Sequence, residues 1–171
     1  MKKIFTTLLA LCLLNTASFS DVKLGIILGF TGPIESLTPD MAAGAELAID
    51  EINKSKHFSM GKVSGVRADS TCVDSAAATT AAERLITSDK VNGIMGADCS
   101  GVTTAILQQV AMANGMVMVS PSATSPALST VEDNGLFFRT APSDARQGQV
   151  VADILKEKGL TSIAISYVNN D

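Results

Sequence analysis

Apolar runs and helical patterns alternate along the chain from residue 21 onward. Short apolar runs bounded by glycine or polar residues predict buried strands, and longer stretches with apolar positions three or four residues apart predict amphipathic helices. The predicted strands are residues 23–28, 62–69, 91–95, 116–119, 136–139 and 162–167. The predicted helices are residues 41–53, 75–87, 101–114 and 145–158.

Capping residues and apolar faces refine these helices. Asp40 is the expected cap of the first helix, and Gly115 and Gly159 follow helix ends, where glycine is common. The first helix is expected to bury four residues on one face: Ala45, Ala48, Ile49 and Ile52. The second is expected to bury Ala78, Ala81, Ala82, Leu85 and Ile86.

This alternation determines the expected fold class. Strands that alternate with helices indicate βαβ units, and therefore an α/β protein with a Rossmann-like, mostly parallel sheet and helices on both faces. Ligands of such sheets bind outside the carboxyl ends of the strands. The loops of interest are therefore residues 31–38, 98–101 and 120–125.

The first 20 residues have the composition of a cleaved secretion signal. Two lysines precede an apolar run over residues 4–14, and small or polar residues follow up to a cut near Ser20–Asp21. A membrane anchor is the first alternative, but a span needs about 20 apolar residues. A lipid-modified Cys12 is the second, for which Leu11 is a poor fit.

Charge excludes one class of partner. The chain carries 17 acidic and 13 basic residues, a net charge of −4 that becomes −6 when the two lysines of the signal are removed. Nucleic acid binding depends on clustered lysine and arginine, so no nucleic acid partner is expected.

Two cysteines, Cys72 and Cys99, remain after the signal is removed. An even pair in a secreted chain favours a disulfide, with two buried thiols as the alternative. A metal site is disfavoured because two cysteines and the distant His57 do not form a ligand set. We expect neither a metal nor a cofactor.

The loop at residues 98–101 offers a place for an anion. Ser100 precedes a helix whose first N–H groups and dipole attract negative charge, so its hydroxyl and these amides are candidates to hold a ligand carboxylate. The alternative is that Ser100 only caps the helix.

A second polar loop covers residues 120–126. Two prolines restrict it, and its hydroxyls and carbonyls are candidates to bind a ligand ammonium. The alternative is an ordinary Ser/Pro turn that leads into a short helix.

Catalytic motifs are missing from the sequence. The one histidine, His57, lies in a polar stretch, and the chain has neither a Gly-x-Ser-x-Gly elbow nor a Gly-x-Gly-x-x-Gly fingerprint. A secreted α/β hydrolase is therefore the weaker hypothesis, and we expect no enzyme.

Several motifs, taken in order, resemble one family. Residues 24–53, with Gly32-Pro33 followed by Gly44-Ala45, are similar to the opening of branched-chain amino-acid-binding proteins of the leucine/isoleucine/valine type. The remaining motifs of the resemblance are residues 69–72, 96–100, 119–128, 138–140, 147–148 and 163–165. The resemblance implies a type I periplasmic solute-binding protein of an ABC transporter, with two lobes that close on a ligand.

The resemblance also implies roles for individual residues. The family's serine at the position of Ser100 binds the ligand carboxylate. The main-chain carbonyl at Ser122 and the hydroxyl at Thr124 bind the ammonium, with Ala123 between them in the same loop. Leu37 stands where relatives often carry an aromatic residue that lines the side-chain pocket. The cysteines at positions 72 and 99 form a disulfide in close relatives.

These implications complete the expected organisation. Residues 1–20 are the signal peptide, residues 21–140 the ligand-binding lobe and residues 141–171 the start of a truncated second lobe. We expect a periplasmic monomer that binds a small aliphatic amino acid and delivers it to a membrane permease. The alternative ligands are a short amide, urea or an aromatic acid.

Overall fold

The structure is a computed structural model that describes residues 21–55, 58 and 61–167. The predictions for the secretion signal at residues 1–20 and for His57 lie outside the described residues.

Five parallel strands form one sheet in the order β2-β1-β3-β4-β5. The strands are β1 (Val22–Leu28), β2 (Val63–Asp69), β3 (Gly93–Gly96), β4 (Met118–Ser120) and β5 (Phe137–Arg139). The predicted parallel sheet is confirmed, and β1 lies between β2 and β3 because the chain crosses first to β2 on one side of β1 and then to β3 on the other.

In the described part of the chain, the longer helices that connect or follow the strands are α1 (Thr38–Lys54), α2 (Ser75–Thr87), α3 (Ser100–Ile106) and α4 (Asp144–Glu157). From α3 the helical path continues through a π-helical turn at Leu107–Ala111 to Asn114. Gly115 ends it with a left-handed φ of 61°, as predicted from the sequence. A 3-10 helix, Pro126–Ser129, follows β4.

The core lies on both faces of the sheet. On one face Ile27 packs in a cluster with residues of α2 and α3, such as Leu85 and Ile106. On the other face Ile26 and Leu28 pack against α1. Alternate residues of β1 thus point to opposite helix layers, which explains why its second half, from Gly25 to Leu28, is apolar and buried.

The start of α1 differs from the prediction that Asp40 caps it. The helix begins at Thr38, with a proline in its first turn, and Leu37 occupies the cap position without a side-chain hydrogen bond. Proline has a φ suited to the first helical turn, so the helix can begin ahead of Asp40. The Thr38 hydroxyl points inward and donates to the carbonyl oxygen of Gly29 at 3.3 Å.

The buried face of α1 is narrower than predicted. Ala42 is buried and Ala45 and Ile49 are half-buried, whereas Ala48 and Ile52 are exposed. The prediction for Ala48 and Ile52 is therefore wrong. Only one stripe of a helix can face a sheet, and Ala42, Ala45 and Ile49 define that stripe by their spacing.

The predicted strand at residues 162–167 does not form. These residues pair with no strand in the described part of the chain, and their side chains are exposed. An apolar sequence becomes a strand only where a neighbouring strand supplies hydrogen-bond partners. Helix α4 likewise has no buried residue. The predicted division of the chain into two lobes at residue 140 stays a prediction.

The length and apolar character of a helix determine whether it can cross a membrane. Within residues 21–55, 58 and 61–167, no helix has both the length and the apolar character that a bilayer span requires.

Candidate functional site

The candidate site lies at the carboxyl edge of the sheet, where β1 and β3 are neighbours. The chain leaves β1 toward β2 on one side and passes to β3 on the other, which makes this edge a topological switch point, where parallel sheets bind their ligands. Parallel strands bring all their following loops to the same edge. The three loops predicted from the sequence therefore meet here.

Asp98 lies at the centre of this edge, directly after β3. Its side chain is buried, and both carboxylate oxygens accept from the backbone N–H of Gly29, at 3.1 and 3.0 Å. The Ser70 hydroxyl donates to the same carboxylate at 3.3 Å. Asp98 thus ties together the ends of β1, β2 and β3, a role that sequence reasoning missed. The sequence signal for this role was the position of Asp98, an acidic residue between an apolar strand and Cys99.

A disulfide joins Cys72 and Cys99, with a Cα–Cα distance of 5.2 Å. It closes a segment with a sequence separation of 27 residues and connects the loop after β2 to the loop after β3. The pairing agrees with the expectation from secretion and from the family resemblance. The disulfide therefore restrains Cys99, the residue before Ser100.

Ser100 is the first residue of α3, but its side chain does not cap the helix. Cys99 occupies the cap position without a side-chain bond, and the Ser100 hydroxyl oxygen accepts from the backbone N–H of Ser125 at 3.1 Å. The interpretation of Ser100 as a simple cap is therefore wrong. Its hydroxyl instead joins two of the predicted ligand loops, and as a donor it can still serve a ligand anion.

The loop after β4 is fixed by a buried serine. Ser120 donates its hydroxyl proton to the carbonyl oxygen of Ala97 at 2.5 Å and accepts from the N–H of Ala123 at 2.9 Å. The next hydroxyl, that of Ser122, donates to the carbonyl oxygen of Asp98 at 3.0 Å. Ser122 is thereby held against the loop after β3.

Ala123 supports this loop from inside. Its side chain is buried in the core cluster, and its carbonyl oxygen accepts from the Arg139 guanidinium at 3.2 Å. Arg139 also donates to the carbonyl oxygen of Ser125 at 2.8 Å and to the Ser129 hydroxyl at 2.5 Å. The predicted ligand contact of Ala123 stays a prediction, because its side chain and its carbonyl oxygen both have partners within the fold.

Thr124 connects the loop to the start of α4. Its hydroxyl donates to the Asp144 carboxylate at 2.8 Å, and its carbonyl oxygen accepts from the Asp144 N–H at 2.9 Å. The hydroxyl proton is thus directed at Asp144, which leaves the oxygen lone pairs as acceptors. Sequence reasoning missed Asp144, since nothing local links it to a threonine 20 residues earlier.

The loop after β1 is attached to the loop after β2. The Thr31 hydroxyl donates to the Asp69 carboxylate at 2.6 Å, and the Thr71 N–H donates to it at 2.8 Å. Gly32 has a φ of 100°, and a side chain there would meet the Thr71 carbonyl oxygen. Leu37, predicted to line a side-chain pocket, is 57% exposed at the end of this loop. Its ligand role stays a prediction.

These contacts also affect the ionisation of Asp69. Partial burial by itself raises the pKa of this carboxyl, but the hydrogen bonds from Thr31, Thr71 and Phe30 together outweigh burial. The net result is a pKa below the ordinary value of 3.8. The folded state therefore favours the ionised carboxylate.

Replacing Asp69 by asparagine is expected to lower the free energy of unfolding by about 1 kcal/mol at neutral pH. Because the pKa is lowered on folding, the ionised form stabilises the protein above the unfolded pKa, and this contribution is lost as pH falls through the folded pKa. Urea unfolding at pH 7 and pH 3 checks the difference. The control is Asp153→Asn, a change at an exposed carboxylate. A stability difference that does not shrink at pH 3 would show that the ionised Asp69 carboxylate is not its cause.

Among the residues that the structure describes, no group of three or more histidine, cysteine, aspartate or glutamate side chains is arranged to hold a metal ion.

The sheet order, the helices on both faces and the polar loops at the switch point define the class. This is the fold of a type I periplasmic solute-binding protein lobe. The chain belongs to the family described as "Receptor family ligand binding region", whose model matches residues 40–171.

Relatives within this class agree with the family resemblance seen in the sequence. The chain is 30% identical over 156 residues to the Leu/Ile/Val-binding protein homolog 3 of Brucella melitensis, covering 89% of this chain and 40% of that protein. The chain thus spans about two-fifths of the length of the curated relatives it matches. The names of these relatives describe binding proteins and not enzymes.

Solved structures give the same assignment. The isoleucine complex of the branched-chain amino acid transporter substrate binding protein LivJ from Streptococcus pneumoniae matches with a TM-score of 0.73 and 28% identity, over 81% of this chain and 39% of that one. A solute binding protein from R. palustris in complex with 4-hydroxybenzoate matches with a TM-score of 0.71 and 20% identity, over 82% and 37%. At that identity the second match shows the fold alone.

Proposed function

We propose that this chain is the first ligand-binding lobe of a periplasmic receptor that binds a small, aliphatic amino acid and delivers it to the membrane permease of an ABC importer. The observation that carries the proposal is the contact between the Ser100 hydroxyl and the Ser125 N–H. This contact brings a group suited to a carboxylate next to a loop suited to an ammonium.

The carboxylate end of the ligand is assigned to Ser100 and the first-turn amides of α3. The Ser100 hydroxyl accepts from Ser125, so its proton is available to a ligand oxygen. Backbone N–H groups at a helix start have no partner within the helix and carry partial positive charge. A hydroxyl donor together with these amides suits a carboxylate.

The ammonium end is assigned to the loop after β4. The Ser122 carbonyl oxygen and the Thr124 hydroxyl oxygen are acceptors, and Asp144 adds a negative charge next to Thr124. An ammonium has three donors and no acceptor, so a cluster of three oxygen acceptors complements it. Donors at Ser100 and acceptors at Thr124 together match a zwitterion.

The aliphatic side chain is assigned to the region of Leu37. An apolar residue at this position, in place of a ring, favours an aliphatic ligand over an aromatic one. Because the chain spans about two-fifths of its relatives' length, we propose that a second lobe completes the pocket and closes on the ligand as a hinge. The receptor is proposed to act as a monomer.

An aromatic acid is the alternative ligand, since a protein of the same fold binds 4-hydroxybenzoate. Such a ligand has a carboxylate for Ser100 but no ammonium for Thr124 and Asp144. If a second lobe closes over these acceptors, they would lose water without gaining a donor from the ligand, which costs free energy. The contact between Thr124 and Asp144 therefore favours the amino acid.

A ligand panel tests the proposal. We expect leucine, isoleucine and valine to raise the melting temperature of the full-length protein, because a ligand that binds only the native state stabilises it. At about 100 times Kd the gain is about 2.7 kcal/mol. Differential scanning fluorimetry provides the measurement.

The same panel contains the rival ligands. Benzoate, 4-hydroxybenzoate, acetamide and urea are expected to leave the melting temperature unchanged. A rise with an aromatic acid or an amide and none with the three amino acids would assign the site to another solute.

A further inference from the structure

We propose that Asp98 is a positioning residue for the ligand site: its buried carboxylate holds the loops that carry the ligand contacts in their binding geometry. The inference rests on the proposed function for its ligand. Asp98 itself has no assigned contact with the ligand and acts through its neighbours.

The side chain of Asp98 makes connections to two loops. Gly29, at the start of the loop after β1, donates its N–H to both carboxylate oxygens, at 3.1 and 3.0 Å. Ser70, at the start of the loop after β2, donates its hydroxyl to one of them at 3.3 Å. One residue thus fixes the relative positions of two loops that are far apart in sequence.

The main chain of Asp98 connects to a third loop. Its carbonyl oxygen accepts from the Ser122 hydroxyl at 3.0 Å, which places the proposed ammonium loop. Two residues further along the chain is Ser100, the proposed carboxylate contact. Asp98 is therefore linked directly to both poles of the site.

Burial makes these connections strong. Asp98 is 3% exposed, Ser70 is 0% exposed, and Gly29 is also buried. A buried carboxylate must be matched by donors, and a buried N–H without an acceptor is costly. Removing the side chain would leave the Gly29 N–H and the Ser70 hydroxyl without this acceptor, so the loops after β1 and β2 would have to rearrange.

The competing explanation is that Asp98 only stabilises the fold. In that case a variant would unfold more easily, but its native molecules would bind ligand as tightly as the wild type. Affinity measured well below the melting temperature separates the two roles.

The test compares two variants in the full-length protein. Asp98→Ala removes the carboxylate that accepts from Gly29 and Ser70. Asp98→Asn keeps the shape, because its amide oxygen can accept from Gly29 while its NH₂ group donates to the Ser70 oxygen. Val110→Ala is the control, a buried core truncation toward the other end of the same helical segment.

Leucine titrations by calorimetry at 15 °C, about the temperature at which proteins are most stable, measure affinity. Amide hydrogen exchange at Gly29 and Ser122 measures loop order without any ligand. We expect Asp98→Ala to weaken leucine binding by about tenfold or more and to accelerate hydrogen exchange at both amides. We expect the affinity of Asp98→Asn to lie within about threefold of the wild-type affinity. We expect Val110→Ala to lower the melting temperature with no change in affinity.

Two results would overturn the inference: leucine affinity of Asp98→Ala equal to that of the wild type, or unchanged exchange at both amides. Failure of the proposed function has a different signature, since wild-type protein would then bind none of leucine, isoleucine and valine. In that event the exchange data alone decide whether Asp98 orders the loops.

Discussion

Replacing Ser100 by alanine is expected to weaken leucine binding by roughly 10- to 150-fold, equivalent to about 1.5–3 kcal/mol. The variant loses a hydroxyl that donates to a charged ligand group. It also loses the acceptor of the Ser125 N–H, which aligns the neighbouring loop. Isothermal titration calorimetry with the full-length protein measures the change.

Two further variants make this result specific to the hydroxyl at position 100. Ser100→Thr keeps a hydroxyl and is expected to retain more affinity than alanine. Ser88→Ala changes an exposed serine at the C-terminal end of α2, at the opposite edge of the sheet, and should bind leucine normally. Wild-type affinity in Ser100→Ala would remove Ser100 from the site.

Replacing Cys72 and Cys99 together by serine is expected to lower the free energy of unfolding by roughly 3.5 kcal/mol. The disulfide closes a loop with a sequence separation of 27, and breaking it restores conformational freedom to the unfolded chain. Guanidinium unfolding of the oxidised wild type and the double variant gives the difference.

The reduced wild-type protein is the matched control for the disulfide. It has the native sequence without the cross-link, so its unfolding midpoint should fall close to that of the double-serine variant. A decrease below about 1 kcal/mol in both would show that the cross-link contributes little. Labelling without reduction provides a second check, because two alkylated cysteines would show that the bond is not formed.

The sequence predicted the sheet well because local patterns determine its elements. The bounds of α2 agree with the prediction, and β1 and β2 differ from it by one residue. Apolar runs and an alanine-rich face carry this information by themselves. The predicted strand at 162–167 was wrong because an apolar run also needs a neighbouring strand, which no local pattern can supply.

The connections within the site were beyond local reasoning. Ser100 was placed one residue ahead of a helix that in fact begins at Ser100, and its partner Ser125 lies 25 residues away, so only the fold brings the two together. The same holds for Asp98 and Gly29, which are separated by 69 residues. Sequence reasoning found polar residues at strand ends, and the packing of five parallel strands decides which of them meet.

The site at Ser100 and Thr124 is proposed to recognise both charged ends of one amino acid. Calorimetry with leucine and two truncated analogues tests this recognition: 4-methylpentanoate lacks the ammonium and 3-methylbutylamine lacks the carboxylate. We expect leucine to bind and each analogue to bind at least about tenfold more weakly, because each leaves one set of charged hydrogen bonds unmade. Equal affinity for leucine and 4-methylpentanoate would contradict the claim.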